Sequence, residues 1–164
     1  MAHVAIRGGV LRALAAASLT VACHHAEPPP PAAEAPAEES SARPAPASEL
    51  HTAVFDLVMK PGGPVVAGQP ATVVIAVDAR GGYHVNDRYP YKFKPSEATG
   101  LTYASPAFST EATKLEEKRA TMTVSFTPDG KGDRTVAGKF AFSLCSADQC
   151  LIEKRDLALS VAVN

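Results

Sequence analysis

The sequence contains no tryptophan, few aromatic residues and no excess of charge of either sign. Aromatic residues make up 6% of the 164 residues, and 16 Lys and Arg stand against 17 Asp and Glu. Nucleic-acid binding requires a clear basic excess on one face of a protein, so this balance argues against nucleic acid as a partner. Uncharged apolar runs are also short. None reaches the length of a transmembrane helix, so we expect no membrane-spanning segment.

Cysteine is scarce too, and its three copies form an odd number, which leaves one to be explained apart from a pair. Arg7 and Arg12 precede or border an apolar run at residues 13–22, which ends in small residues directly before Cys23. This pattern predicts a cleaved signal peptide over residues 1–22. Residues 19–23 resemble a bacterial lipobox, although Leu19 lies one position further from the cysteine than usual. The resemblance implies a lipid on Cys23 as the only membrane anchor.

Residues 23–48 change composition abruptly, to proline, alanine and glutamate, with no large aliphatic or aromatic side chain after the cysteine. Such a segment cannot bury enough apolar surface to offset its chain entropy, so we expect a disordered, partly polyproline-like linker. His24 and His25 follow Cys23, but no further ligands follow at useful spacing, so we predict no metal there.

Residues 49–164 have a hydrophobic period of two, which is typical of β-strands. Apolar side chains alternate with polar ones over residues 120–127, and with small ones over residues 157–163. Further strands are predicted at Thr52 to Met59, Ala71 to Ala79, Gly82 to Asn86, Leu101 to Ala104 and Val136 to Leu144. Seven or eight short strands and no long helix predict an all-β domain, an immunoglobulin-like two-sheet β-sandwich.

The segments between these strands have turn chemistry. Lys94-Pro95-Ser96 is predicted to separate two strands, and the glycines around Lys131 to form a hairpin turn between two others. We do not assign a phosphate loop to Gly130-Lys131-Gly132, because the required spacing and following helix are missing. Thr110 to Lys118 has a helix-compatible composition and is predicted to be a loop or a single turn.

Candidate chemistry is concentrated at Cys145 and Cys150, which are separated by four residues. A strand precedes the pair, and a reversing loop between the two would bring them within disulfide range. Export to an oxidising compartment favours the bond. Closing so small a loop contributes only about 2 kcal/mol by chain entropy. The bond is therefore either a redox centre or a structural staple, and the residues alone leave both open.

Three features follow one another along the chain: the block Gly81-Gly82-Tyr83-His84-Val85-Asn86, the later Phe108 segment and the cysteine hairpin. Their order resembles that in the amino-terminal domain of DsbD, the bacterial transmembrane thiol:disulfide reductase. The similarity extends over most of residues 50–163. It implies an immunoglobulin-like periplasmic domain whose cysteine pair receives electrons from a membrane core and passes them to thioredoxin-like partners. This sequence includes neither that membrane core nor a thioredoxin-like domain, so the resemblance implies a separate membrane electron donor.

The resemblance also implies roles for individual residues, which are transferred by their position in the sequence. The resemblance implies that Cys150 is the sulfur that forms mixed disulfides, that Cys145 is its resolving partner, and that Phe108 is an aromatic cap over the oxidised pair. The acidic residues that precede the cap in the family are replaced here by Ser105-Pro106-Ala107, and the prolines after the second cysteine by Ile152-Glu153. Asp148, inside the cysteine loop, is predicted to accept a proton or to hydrogen-bond the turn backbone.

Other polar residues are weaker candidates. For His84, which lies in a predicted strand, a partly buried, hydrogen-bonded histidine is the favoured interpretation over a catalytic one. Tyrosines alternate with basic residues over residues 83–94, which favours an edge or loop with amphipathic side chains over a binding face. We find no nucleophile triad, metal cluster or nucleotide motif, and we expect no cofactor.

Two functional hypotheses remain. In the first, the chain is a lipid-anchored domain of the bacterial cell envelope, facing the periplasm, that relays reducing equivalents by thiol–disulfide exchange. The outer membrane is favoured, since no retention signal follows Cys23. In the second, the chain is a noncatalytic envelope lipoprotein whose sandwich binds a partner and whose disulfide is a staple.

Overall fold

A computed structural model describes residues 46–164. The predicted signal peptide, the lipidated Cys23 and the linker up to residue 45 lie outside the described residues. Within them, ten strands follow one another: β1 Glu49–His51, β2 Phe55–Pro61, β3 Ala71–Ala79, β4 His84–Val85, β5 Lys92–Pro95, β6 Leu101–Tyr103, β7 Thr113–Leu115, β8 Arg119–Pro128, β9 Gly132–Cys145 and β10 Cys150–Val163.

The strands form two antiparallel sheets. The larger sheet has the order β1-β2-β3-β8-β6, with β7 also paired to β8; the smaller has the order β10-β9-β4, with β5 also paired to β9. The chain crosses between the sheets after β3, after β5 and after β8. The prediction of an all-β, immunoglobulin-like two-sheet sandwich is confirmed. Side chains that alternate along the strands bury one face of each sheet against the other.

The hydrophobic core lies between the two sheets. Phe55 of β2 meets Phe142 of β9 edge to face, with ring centroids 5.1 Å apart. Phe140 stacks on Phe142 within β9 at 5.3 Å. On the larger sheet, the alternating apolar residues of β3 and β8, such as Ile75 and Met122, are completely buried. The period-two pattern of the sequence therefore gives the buried face of each strand directly.

Several predicted boundaries differ from the structure. Lys92–Pro95 is strand β5 and not a separator, because it pairs with residues 138–141 of β9. Residues 110–118 contain a single 3-10 turn, Thr110–Ala112, and then strand β7. The glycines around Lys131 do not close a hairpin, because β8 and β9 belong to different sheets. Gly132, with φ of 99°, instead lets the chain cross between the sheets.

The amino-terminal edge of the domain includes two residues that composition groups with the linker. Ala47 forms a parallel bridge with Leu157 of β10, and its carbonyl accepts a hydrogen bond from Ala158 at 3.3 Å. The Ser48 carbonyl accepts one from Met59 of β2 at 2.7 Å. Backbone pairing thus extends the domain slightly upstream of the first strand.

Candidate functional site

The two cysteines lie at the turn end of the longest hairpin in the described part of the chain. Strands β9 and β10 pair continuously from Gly132 opposite Val163 to Cys145 opposite Cys150. The predicted Cys145–Cys150 disulfide is confirmed, and the two Cα atoms are 4.0 Å apart. The pair stands next to a backbone-bonded pair, Ser146 and Gln149, so it occupies a non-hydrogen-bonded position, where opposed side chains are closest.

The turn beyond the disulfide is closed by Ser146. Its backbone N–H donates to the carbonyl of Gln149 at 2.8 Å, and its hydroxyl oxygen accepts from the backbone N–H groups of Asp148 and Gln149 at 3.3 and 3.2 Å. The Gln149 side-chain amide donates to the Tyr83 hydroxyl at 2.7 Å and so ties the turn to the segment before β4. The serine side chain at the start of a tight turn was the available sequence signal for this role.

The two cysteine residues differ in exposure. Cys145 is 8% exposed and so buried, whereas Cys150 is an exposed residue. Ile152 lies two residues after Cys150 on the same face of β10. Its surface is 61% exposed, more than that of any other large hydrophobic residue in the described part of the chain. A protein that approached the disulfide would therefore reach Cys150 first, beside an apolar side chain.

His84 lies in the same cross-strand row as the disulfide. In β4 it pairs with Cys145 of β9, and Cys145 in turn pairs with Cys150 of β10. The flanking Val85 and Leu144 point into the core, so the row stands on the opposite, outer face of the sheet. The prediction of a partly buried His84 is wrong. The side chain is exposed, because β4 is a two-residue strand at the edge of the smaller sheet.

The connection after β4 packs against the end of β9. The Asn86 N–H and the Tyr91 hydroxyl both donate to the Ser143 carbonyl, at 3.2 and 2.8 Å, and the Asn86 side-chain amide donates to the Ser143 hydroxyl at 3.3 Å. Ser143 and Tyr91 are completely buried. Burial raises the pKa of Tyr91 to about 12, against the opposing effect of its backbone hydrogen bonds. The expectation of an amphipathic edge fails for Tyr91, which is a core residue.

Phe108 lies apart from this row. Its backbone forms an antiparallel bridge with Phe93 of β5, with both N–H to carbonyl distances at 2.8 Å, and its side chain belongs to the hydrophobic core. Phe93 pairs with Phe140 of β9, which lies five residues before Cys145. Five residues of strand span roughly 16 Å. The role of Phe108 as a cap over the sulfurs stays a prediction, and no contact described here joins Phe108 to either cysteine.

Asp148 is exposed at the tip of the hairpin turn. Its backbone N–H bonds the Ser146 hydroxyl, so the serine provides the side-chain oxygen that stabilises this turn. The role of the Asp148 carboxylate in proton transfer stays a prediction.

The remaining expectations concern metals and membranes. Across residues 46–164, no three His, Cys, Asp or Glu side chains are placed to hold a metal ion. The same part of the chain has no helix with the length and apolar character needed to cross a membrane. Cys23 lies outside the described residues.

The geometry defines a β-sandwich domain with a disulfide between one buried and one exposed cysteine residue. A thiolate can attack Cys150 in such a site and displace Cys145, whereas a fully buried pair would be inert.

No protein-family model matches the chain, and no curated protein matches it either. Among solved structures, the chain is similar to a cohesin module from a Clostridium perfringens family 33 glycoside hydrolase, with 16% identity, a TM-score of 0.42, and coverage of 69% of this chain and 98% of that one. It is also similar to the major subunit of aggregative adherence fimbriae type I from Escherichia coli, with 13% identity, a TM-score of 0.35, and coverage of 70% and 100%. The fold assignment rests on the strand topology and not on these similarities.

Proposed function

We propose that this protein relays reducing equivalents in the bacterial cell envelope by thiol–disulfide exchange at Cys145 and Cys150. In this proposal a lipid on Cys23 anchors the chain, and the proline-rich segment holds the domain at a distance from the membrane. A separate membrane protein supplies the electrons, and thioredoxin-like envelope proteins receive them. The resemblance to the amino-terminal domain of DsbD supports this direction.

The observation that carries the proposal is the unequal exposure of the two cysteine residues. A donor thiolate attacks the exposed Cys150 sulfur, a new bond forms between them, and the Cys145–Cys150 bond breaks with its electron pair on Cys145. The donor's second thiolate then attacks the mixed disulfide and releases Cys150. The donor is oxidised to a disulfide, and the domain is left as a dithiol that reduces the next protein by the reverse steps.

The pairing of the hairpin also supports the proposal, because it stabilises the fold independently of the disulfide. Strands β9 and β10 pair along their whole length. A disulfide that closes so small a loop contributes only about 2 kcal/mol. Reduction would therefore leave the sandwich folded, which a relay component requires in its dithiol form. The alternative is a noncatalytic binding lipoprotein in which the disulfide is a structural staple. In that case we expect the disulfide to contribute more than this to the free energy of unfolding.

The reduction potential of the pair tests the proposal. The full chain is equilibrated in glutathione or dithiothreitol buffers, free thiols are alkylated, and the peptides that contain Cys145 and Cys150 are quantified by mass spectrometry, so that Cys23 does not interfere. We expect a potential well above about −300 mV. A lower value would mark a structural disulfide and overturn the relay.

A matched pair of variants tests the roles of the two sulfurs. Cys145→Ala leaves the exposed thiol and Cys150→Ala leaves the buried one. With glutathione disulfide as the probe, we expect the Cys145→Ala variant to form the mixed disulfide at least about tenfold faster at equal thiolate concentration, because its thiol is the accessible one. Equal rates would contradict the assignment of Cys150 as the attacked sulfur.

A further inference from the structure

The row of side chains His84, Cys145 and Cys150 crosses three neighbouring strands of the smaller sheet. Directly opposed residues of antiparallel strands project on the same face, so the side chains of His84, the buried Cys145 and the exposed Cys150 follow one another in that order. The sulfur next to the imidazole is the one that leaves when Cys150 is attacked. This juxtaposition joins segments that are far apart in the sequence.

Spacing allows the imidazole to reach the leaving sulfur. The Asn86 N–H bonds the Ser143 carbonyl, and His84 and Cys145 stand two positions along the same ladder. Alternation makes this a backbone-bonded pair, with Cα atoms about 5.5 Å apart. An imidazole ring extends far enough from its Cβ to cover that interval. His84 is exposed, so its ring is free to turn toward a sulfur that has just been released.

Charged residues of both signs belong to the segments next to His84. From the segment before β8, Lys118 donates through Nζ to the Tyr83 carbonyl at 2.7 Å, and the Glu117 carbonyl accepts from the N–H of Val85 at 2.8 Å. Asp87 follows in the connection after β4, and Asp148 stands at the tip of the hairpin. These four lie around the row and not in it; within the row, the groups that gain or lose protons are the imidazole and the two sulfurs.

We propose that His84 is the proton donor to the leaving Cys145 sulfur during reduction of the disulfide, and the proton acceptor from the Cys145 thiol when the disulfide forms again. This inference rests on the proposed function, since it concerns the same exchange reaction. A thiolate is a poorer leaving group than a thiol, so a proton supplied at that atom lowers the barrier.

The electron pair of the broken sulfur–sulfur bond goes to Cys145, and the protonated imidazole transfers its proton to that sulfur, which leaves a neutral imidazole and a thiol. The attacking dithiol supplies both electrons and is oxidised. Solvent restores the proton on the imidazole. In the reverse direction the neutral imidazole takes the proton from Cys145, and the resulting thiolate attacks Cys150 in the mixed disulfide.

The test is the rate at which dithiothreitol reduces the oxidised full chain, with His84→Gln compared with wild type. Rates are divided by the thiolate concentration at each pH. We expect the variant to react at least about tenfold more slowly near pH 6. The difference should shrink above about pH 8, where histidine side chains have ordinarily lost their proton. A structural effect of the substitution would not follow pH in this way.

His51→Gln is the matched control, because His51 is an exposed histidine on β1 of the other sheet, hydrogen-bonded to Asp56 at 2.9 Å. It should react at the wild-type rate. If His84→Gln disturbs the fold by circular dichroism, His84→Thr replaces it, since threonine suits an exposed strand. A wild-type disulfide that is readily reduced, with His84→Gln equally fast, overturns the role of His84 alone. A wild-type disulfide that resists reduction overturns the relay and this inference together.

Discussion

At the scale of single residues, Tyr91 connects the core with the candidate site. It is completely buried, and its hydroxyl bonds the Ser143 carbonyl two residues before Cys145. Its backbone N–H also donates a hydrogen bond to the Thr110 hydroxyl oxygen at 3.2 Å. The ring hydroxyl thus holds the connection after β4 against the end of β9, and the backbone N–H ties the same connection to the 3-10 turn before β7.

The raised pKa of Tyr91 predicts a loss of stability at high pH. In the unfolded chain the phenol has an ordinary pKa of 10.0, whereas in the fold it is raised to about 12. Its contribution is therefore fully present below pH 10 and is lost as pH rises through about 12, since the unfolded state releases its proton first. Tyr91→Phe should lower the free energy of unfolding by about 1 kcal/mol at pH 7 and weaken its decline above pH 10.

Urea unfolding at a series of pH values measures both effects. Tyr89→Phe serves as the control, because Tyr89 is only half-buried in the same connection. A decline above pH 10 that is equally steep in wild type and in Tyr91→Phe would contradict the assignment.

At the scale of elements, the pairing of β5 with β9 depends on Gly138. A Cβ at this position would lie 2.5 Å from the Lys94 carbonyl oxygen and 2.5 Å from the Phe93 ring. Both partners belong to β5, and one of them is backbone that cannot move without breaking the ladder. The strand therefore has a glycine at this position because the neighbouring strand passes too close for a side chain.

Gly138→Ala should lower the free energy of unfolding by about 2 kcal/mol, because the added methyl forces β5 away from β9. Gly63→Ala is the matched control, since a Cβ there meets nothing within 4 Å. Urea unfolding of the two variants measures the difference. Equal stability of the two would mean that β5 adjusts without cost.

At the scale of the whole molecule, Phe55 joins the two sheets. It lies on β2 of the larger sheet, and its ring meets both Phe142 of β9 and the guanidinium of Arg155 on β10, the latter 5.9 Å from the ring centroid. This ring therefore contacts both strands of the long hairpin and is one of the core residues that pack the two sheets together.

Phe55→Ala should lower the free energy of unfolding by about 4 kcal/mol, because a completely buried aromatic ring is replaced by a cavity between the sheets. Ile152→Ala, at the most exposed apolar position named above, should cost less than about 0.5 kcal/mol. Thermal and urea unfolding measure both. A small effect of Phe55→Ala would show that the sheets repack without this ring.

The extent to which the sequence predicted the structure differs between fold and site. The strand Ala71–Ala79 is predicted at both ends, because a short run of mostly β-branched apolar residues is flanked by turn residues. The short strands β1, β5 and β7 are missed, since a pairing partner and not local pattern makes them strands. The disulfide is predicted from two cysteines in one hairpin, whereas the place of His84 beside it is not.

The sequence by itself determined what depends on neighbours along the chain: the period-two strands, the turns between most of them, and the closure of Cys145 on Cys150. Only the tertiary structure decided which distant segments flank β9. That choice placed Phe108 in the core, left Cys150 exposed while Cys145 is covered, and set His84 opposite Cys145. The physical reason is that strand register between remote segments is fixed by how both sheets bury their apolar faces together, and no local pattern encodes it.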